Sequence, residues 1–327
     1  MKNKSLVLLS YGRISEYKRA IFCILSLWAW GKEHLPDWRI LIYTDQPDFF
    51  KPYLKGLNVQ YVHLTDELTT AMLAGTTYFH RRKVAVIDMT FKMFPGDALM
   101  FIDSDTFFIT EPAKLLNSFE VGKCFMHKRE YMLKDGLALF SSFNQGQYPE
   151  AFLKYIAGRS FEIGGLIEQF SDLDYSWNSG VLALDQSFAT YMPDVFRLTD
   201  EFYANSEWFI SEQLAFALVL QKRTEIRSAE EFVLHYWGAQ QKVLLDGLLD
   251  KLFESTPAAE LFNKTQICAL TKKWERAVKI DMAVEQINIA YANQNTIYGI
   301  KQSVKLVLQM PLYPQVYKSL FKTLKSN

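Results

Sequence analysis

Two carboxylates one residue apart, Asp103 and Asp105, end the apolar run Leu99, Met100, Phe101 and Ile102, and Phe107 and Phe108 resume the apolar pattern at once. At a strand end, i, i+2 spacing lets both side chains share a direction. Oxygen pairs of this kind suit a hard divalent cation that keeps positions open for a phosphate. The alternative is structural, with the two acids capping the following turn beside Thr106 and Thr110. A buried strand seldom ends in two acids without a partner for their charge, which favours the cation.

Three further stretches carry candidate chemistry. In "VLHYWGAQQK", His235 ends an apolar pair, Gly238 permits close backbone approach, and Lys242 offers a cation. An imidazole beside two carboxylates leans the metal toward Mn²⁺ rather than Mg²⁺; alone, His235 would be an ordinary satisfied histidine. In "WNSGVLALD", Asn178 and Ser179 supply short hydrogen-bonding side chains before Gly180, or form only a turn. In "SEQLAF", Glu212 and Gln213 enter a helix otherwise rich in Phe209, Leu214, Phe216 and Leu218, and periodicity alone puts this polar pair in solvent.

The elements that would position these residues read as an α/β fold. "SLVLLSY" predicts a buried strand, and "SEYKRAIFCILSLWAWG" a helix with Ser15 as N-cap and Gly31 past its end. "WRILIYTD" and "VQYVHL" predict strands, and "HRRKVAVIDMTFKMF" a helix stopped by Pro95-Gly96 before the strand "ALMFID". This order implies an open, mostly parallel sheet with helices on its faces, whose ligands bind beyond the carboxyl ends of the strands. Residues 127 to 171 suggest an insertion over the site, with a helix around Ala151 to Ala157. "YSWNSGVLALD" reads as turn plus strand, "EWFISEQLAFALVLQ" as a helix and "EFVLHYWG" as a last strand ending at His235, after which helical patterns take over. The division expected is therefore a catalytic domain over 1–245 and a helical region over 246–327.

At 327 residues the chain can bury a full core, and 49% hydrophobic residues make disorder untenable. Lys+Arg and Asp+Glu are equal at 36 each, so no global basic field draws the chain to nucleic acid. Cys23, Cys124 and Cys268 lie far apart, an odd count that predicts buried thiols in a reducing compartment. The opening "MKNKSLVLLSYGR" has too short an apolar core for secretion, and "AIFCILSLWAW" falls well below the roughly 20 residues that span a bilayer. A cytoplasmic protein is expected.

D-S-D after an apolar strand, N-S-G-V-L leading into a strand, E-Q on a helix and H-Y-W-G at a strand end occur here in one order. In that order they resemble the GT-A-fold glycosyltransferases, above all glycosyltransferase family 8, whose retaining galactosyl- and glucosyltransferases use nucleotide sugars. The resemblance covers roughly residues 5 to 245. It implies a GT-A-like open mixed sheet flanked by helices, with a helical C-terminal extension. It also implies Asp103, Asp105 and His235 as ligands of Mn²⁺ or Mg²⁺, Gly238 and Lys242 at the diphosphate, and Asn178, Glu212 and Gln213 facing the donor sugar. Lys83, with Arg81 or Arg82, would be the basic donor-binding group and Tyr17 the aromatic that holds the nucleotide, with Tyr11 and Ser104 in the same donor-binding set. The implied reaction moves a hexose from a nucleotide-diphosphate sugar, a UDP-sugar by the family's habit, to a glycan or lipid-linked acceptor, as in surface polysaccharide assembly. The chain departs from the family in three places. Ser10, Tyr11 and Gly12 stand where an acid often follows the first strand, Lys242 lies seven residues after the histidine instead of six, and a long segment separates D-S-D from N-S-G.

Two other readings compete. A haloacid-dehalogenase-type phosphatase also has an apolar strand before D-x-D, but wants Thr or Val where this chain has Phe107. A non-catalytic nucleotide-sugar-binding protein could share the fold. After Glu285 there is no Asp or Glu, while Lys301, Lys305, Lys318, Lys322 and Lys325 alternate with apolar residues that include Leu312, Tyr313, Phe321 and Leu324. Such a tail either meets an anionic membrane from its inner face or packs on the core with a solvated basic side.

Overall fold

The computed structural model describes residues 4–141, 146–261, 263–292 and 295–311, together with 314, 316, 317 and 320. The chain runs β1 (Lys4–Leu9), α1 (Ile14–Gly31), β2 (Trp38–Thr44), α2 (Pro47–Phe50), β3 (Val59–His63), α3 (Asp66–Ala71), α4 (Arg81–Met93), β4 (Ala98–Ile102) and β5 (Thr106–Phe108). It continues through α5 (Ala113–Asn117), β6 (Lys123–Met132), α6 (Gly136–Leu139), α7 (Gln147–Ile156), β7 (Ser160–Ile163), β8 (Leu166–Gln169) and β9 (Tyr175–Leu184). The last elements are α8 (Met192–Ser206), α9 (Ser211–Arg223), β10 (Glu225–Ser228), β11 (Val233–His235), α10 (Ala239–Ser255), α11 (Lys264–Ala292) and α12 (Thr296–Gln309).

Among the described residues, seven strands form the central sheet in the order β10-β6-β9-β4-β1-β2-β3. β1 is parallel to β2 and β4, β2 to β3, and β10 to β6, while β9 runs antiparallel to both β4 and β6. The chain steps outward from β1 to β3, then α4 carries it back so that β4 joins the other side of β1. Strand order therefore reverses between β1 and β4, and a crevice opens beyond the carboxyl ends of such a pair. Asp103 follows β4 directly in that crevice.

The sheet's two faces bury separate sets of side chains, as a period of two requires. Leu6, Leu8, Met100 and Ile102 pack under α1 and α10, whereas Val7, Leu99 and Phe101 pack under α4 and α9. α11 lies on α1, with the Trp274 ring 4.5 Å from that of Phe22 and the Trp30 indole donating to Thr271. α12 closes on α11 through Leu306, Ile280 and Ile287. The expected boundary at residue 245 falls inside α10.

Several local expectations are corrected. α1 begins at Ile14 after an extended Arg13, so Ser15 lies inside the helix and caps nothing. Gly31 is the last residue of α1, where a Cβ would stand 3.1 Å from Pro112, and a 3₁₀ segment follows directly. Residues 127–132, the start of the supposed insertion, belong to the central strand β6, hidden from a pattern search because Lys128, Arg129 and Glu130 fall within it. Asn178 and Ser179 belong to β9 itself, not to a turn. "EFVLHYWG" contributes only the three residues of β11, which pair with β5 outside the main sheet. Cys23 and Cys124 are buried, but Cys268 is half-buried. Lys318, Lys322, Lys325, Leu312, Tyr313, Phe321 and Leu324 lie outside the described residues.

Candidate active site

Strand pairing brings the three expected metal ligands together from two distant parts of the chain. The amide of Asp103 donates to the carbonyl of Gly180 at 2.9 Å, extending the β4–β9 ladder past the strand end. The Thr106 hydroxyl closes the turn by donating to the Asp103 carbonyl at 2.8 Å, which sets Asp105 on the same side. β11 then pairs with β5 so that His235 stands opposite Thr106 and the Tyr236 amide donates to the Asp105 carbonyl. His235 Nε2 lies 3.2 Å from Asp105 Oδ1 and 3.9 Å from Asp103 Oδ2, and the candidate ligand atoms all fall within 4.8 Å of one another.

The motif around Asn178 prepares that histidine. Asn178 Oδ1 accepts from the Gly180 amide at 3.0 Å, which identifies it as the oxygen, so the 2.8 Å contact with His235 Nδ1 must be an N–H donated by the ring. Nδ1 is thereby the protonated nitrogen toward Asn178, and Nε2 faces the carboxylates. Gly180 supplies the space, because a Cβ there would stand 2.2 Å from His235 Nδ1. Asn178, expected to face a sugar, instead has its carbonyl on His235 and its amide on Glu130 at 3.3 Å. It acts by orienting the imidazole.

Two carboxylate oxygens and an imidazole nitrogen, with the second ring nitrogen held by an amide, fit a divalent ion of the Mn²⁺ or Mg²⁺ class. Cations of the chain already border the acids. Lys242 Nζ lies 2.8 Å from Asp105 Oδ2, and Lys83 Nζ 3.0 Å from Asp103 Oδ2. Burial alone would raise the Asp105 carboxyl, but His235 and then Lys242 hold it well below the usual carboxylate range. Burial and the Lys83 charge push His80 down to about 4, so that ring is neutral beside the site.

Lys83 is the centre of a second network. Its Nζ also meets Glu212 Oε1 at 2.9 Å, Ser179 Oγ at 3.1 Å and the Ser179 carbonyl at 3.4 Å. Burial opposes the charge of Lys83, yet Asp103 and Glu212 outweigh it and raise its pKa above that of an ordinary lysine. Glu212 and Gln213 are only 3% and 7% exposed, which overturns the solvent-facing expectation from periodicity. Gln213 accepts from the Ser179 amide at 3.3 Å and donates to Glu130 Oε2 and Ser176 Oγ, both at 3.0 Å. α9 is buried on nearly every side, so no amphipathic stripe marked these residues.

The remaining expectations divide. Tyr11 and Tyr17 both sit at the crevice, where the Tyr11 hydroxyl accepts from Arg82 at 2.7 Å and the Tyr17 hydroxyl donates to Asp45 Oδ1 at 2.8 Å. Ser104 donates to Glu16 at 2.7 Å. Arg81 is bound to Asp200 and the Met72 carbonyl, so Arg82 is the arginine beside Tyr11. Gly238 is the N-cap residue of α10. A Cβ there would stand 1.8 Å from the Oε1 atom of buried Gln241, whose amide reaches Asp281 and Glu285.

Sequence reasoning missed Asp45, Glu16, Glu130 and His127. Asp45 carried a usable signal, for it closes the apolar strand β2 as Asp103 closes β4, and it accepts from the Gly12 amide at 3.1 Å. An acid thus stands beside the loop after β1, supplied by the next strand.

No protein-family model matches the chain, and no curated protein matches it by sequence. Among solved structures it is similar to the galactosyltransferase LgtC in complex with donor and acceptor sugar analogs, at 14% identity over 75% of this chain and 95% of that one, with a TM-score of 0.44. It is similar to apo mouse xyloside xylosyltransferase 1 at 13% identity over 69% of this chain and 84% of that chain, with a TM-score of 0.43. A third is the glycosyltransferase GlyE of Streptococcus pneumoniae TIGR4, at 10% identity over 85% of this chain and 64% of that chain, with a TM-score of 0.45.

Proposed function

We propose that this chain is a metal-dependent glycosyltransferase that moves a hexose from a nucleotide-diphosphate sugar, a UDP-sugar, to a glycan or lipid-linked acceptor with retention of configuration. One observation carries the reading. Asp103, Asp105 and Nε2 of His235 converge in the crevice between β1 and β4, with Lys242 and Lys83 on the adjoining carboxylate oxygens. A bound Mn²⁺ or Mg²⁺ would supply positive charge for a departing diphosphate. Lys242, one-third exposed, adds a mobile cation on the solvent side of Asp105. Lys83, held by Glu212 and Ser179, fixes Asp103 in place. Glu130 and Gln213 present a carboxylate and an amide beside this group, suited to orienting sugar hydroxyls and to favouring positive charge that builds on the sugar ring. Asp45, Tyr17, Tyr11 and Arg82 form the crevice wall on the nucleotide side.

Residues 1–245 would be the catalytic unit, with the following helices as an attached region. Within that region Ile297, Ile300, Val304 and Leu308 lie exposed along α12, with Lys301 and Lys305 exposed beside them. This stripe supports peripheral attachment to the anionic inner face of a membrane, which would bring a lipid-linked acceptor within reach. Among the described residues no helix is long and apolar enough to cross a membrane.

Phe107 stands where the phosphatase pattern puts Thr or Val, and it is buried against Phe22 and Tyr236. The decisive experiment is a thermal-shift screen of nucleotide sugars with and without Mn²⁺, followed by transfer assays with the donor that binds. A ligand present at about 100 times its Kd should stabilise the fold by about 2.7 kcal/mol, and only with the metal. Indifference to every nucleotide sugar, or phosphate release from a generic phosphoester, would refute the proposal.

A further inference from the structure

β6 carries a second histidine behind the first. The β6–β9 register shifts between Met126 and Lys128, where His127 alone faces Ser179, Gly180 and Val181, so the bulge lies in β9 at the N-S-G segment. β6 is pinned opposite it from β10, where the Ala229 amide reaches the carbonyls of Met126 and His127 at 2.9 and 3.0 Å, and the Ser228 hydroxyl donates to the His127 carbonyl at 3.0 Å. The His127 ring is 5% exposed and donates its Nε2–H to the Val233 carbonyl at 3.0 Å, two residues before His235. It then meets the His235 ring edge to face, with centroids 5.4 Å apart and planes at 85°.

The Asn178 bond at Nδ1 and the 3.2 Å contact of Nε2 with Asp105 hold two corners of the His235 ring, which leaves it free to pivot about the line between them. The neighbouring imidazole fills the space into which such a pivot would swing. We infer that His127 is a positioning residue: through its ring contact it holds His235 with Nε2 aimed at Asp103 and Asp105. The inference rests on the metal reading of the site, and it concerns the strand β6, whose central position a sequence pattern did not show.

The test uses the full chain and three variants. Free Mn²⁺ is measured by electron paramagnetic resonance, and the His235 ring by long-range ¹H–¹⁵N correlation without metal. H127A should bind Mn²⁺ at least about tenfold more weakly than the parent, the scale expected when an outer support of a ligand is removed. Its metal-free His235 Nδ1–H, bonded to Asn178, should give a broader and faster-exchanging signal than that of the parent. H127F keeps a ring without the bond to Val233 and should stay within about threefold of the parent, whereas H127N keeps a donor without the ring and should resemble H127A. H127F also keeps the test open if H127A fails to fold. An H127A or H127N protein with parental Mn²⁺ affinity and a parental His235 Nδ1–H signal overturns the inference, as does an H127F protein that loses as much as H127A. If the parent itself binds no Mn²⁺, the metal reading fails, and the Nδ1–H signal alone still decides whether His127 orients His235.

Discussion

A Cβ placed on Gly180 would stand 2.2 Å from Nδ1 of His235, with Cε1 and Cγ of the same ring also under 3 Å away. The glycine of N-S-G is therefore a steric requirement of the imidazole on β11, although 55 residues separate them in the chain (235 − 180). Gly180→Ala must displace the ring, because the Asp103 and Asn178 bonds to its backbone hold β9 in place. The variant should fold with about 1–3 kcal/mol less stability, as overpacked interiors do. Its Mn²⁺ affinity, measured by competition with a metallochromic dye, should fall by at least about tenfold.

The two acids differ in what they leave behind. Asp105→Asn removes the main partner of both His235 and Lys242, whereas Asp103→Asn leaves Lys83 still paired with Glu212. Both should keep the far-UV circular dichroism of the parent and lose transfer by about 100-fold or more, a typical cost of removing charge stabilisation at a reacting centre. Chelation should produce the same loss in the parent and no further loss in the variants. Transfer unchanged in both variants would rule out the site.

Much of this arrangement was legible before the fold was known, for a definite reason. Asp103, Asp105 and His235 each end an apolar strand segment, and a charge or imidazole at that point contrasts with what precedes it. Where contrast was lacking, the signal failed. Glu212 and Gln213 sit in a helix buried all round, so periodicity misplaced them in solvent. β6 mixes Lys128, Arg129 and Glu130 into a central strand because its far end leaves the core and lines the site. Gly238 also makes room for Gln241, a packing relation between α10 and α11 that no local pattern encodes.

Lys83 is a buried cation between two carboxylates, so its removal should matter more than that of a surface lysine. Lys83→Met leaves Asp103 and Glu212 facing each other without compensation, and breaking a buried pair from one side costs about 3–5 kcal/mol. Adding Glu212→Gln should recover part of that loss, since the second uncompensated charge is then gone. Urea denaturation of the single and double variants measures both effects; equal stability of parent and Lys83→Met would show that the pair is not desolvated.

His80 gives stability a particular dependence on pH. Its pKa is pushed down to about 4 by burial and by Lys83, against about 6.5 in an unfolded chain. Between these values the unfolded state binds the proton and the folded state does not, so stability falls as pH drops from about 6.5 to about 4 and levels off below. For this one residue the change is at most about 3–4 kcal/mol, at about 1.4 kcal/mol per unit. His80→Gln should flatten the urea-midpoint profile in that window and leave it unchanged at pH 8; parallel profiles for parent and variant would show that the ring titrates normally.

The exposed stripe of α12 separates attachment from catalysis. Ile297 and Leu308 are 85% and 74% exposed at opposite ends of the helix, while Leu306 on the other side is buried against α11. Val304→Asp with Leu308→Asp changes only the exposed side, and Lys301→Glu with Lys305→Glu reverses the charge beside it. Each lysine near an anionic surface contributes about 1 kcal/mol, so losing two weakens vesicle binding by about 30-fold even before repulsion is added. Cosedimentation with vesicles containing anionic lipid should show that fall, with little binding to neutral vesicles and less at high salt. Transfer to a soluble acceptor should be unaffected, because α12 packs on α11 through Leu306 and the substituted residues lie on its exposed side. Vesicle binding that survives both pairs of substitutions, or truncation after about residue 295, would show that the stripe faces something other than a membrane.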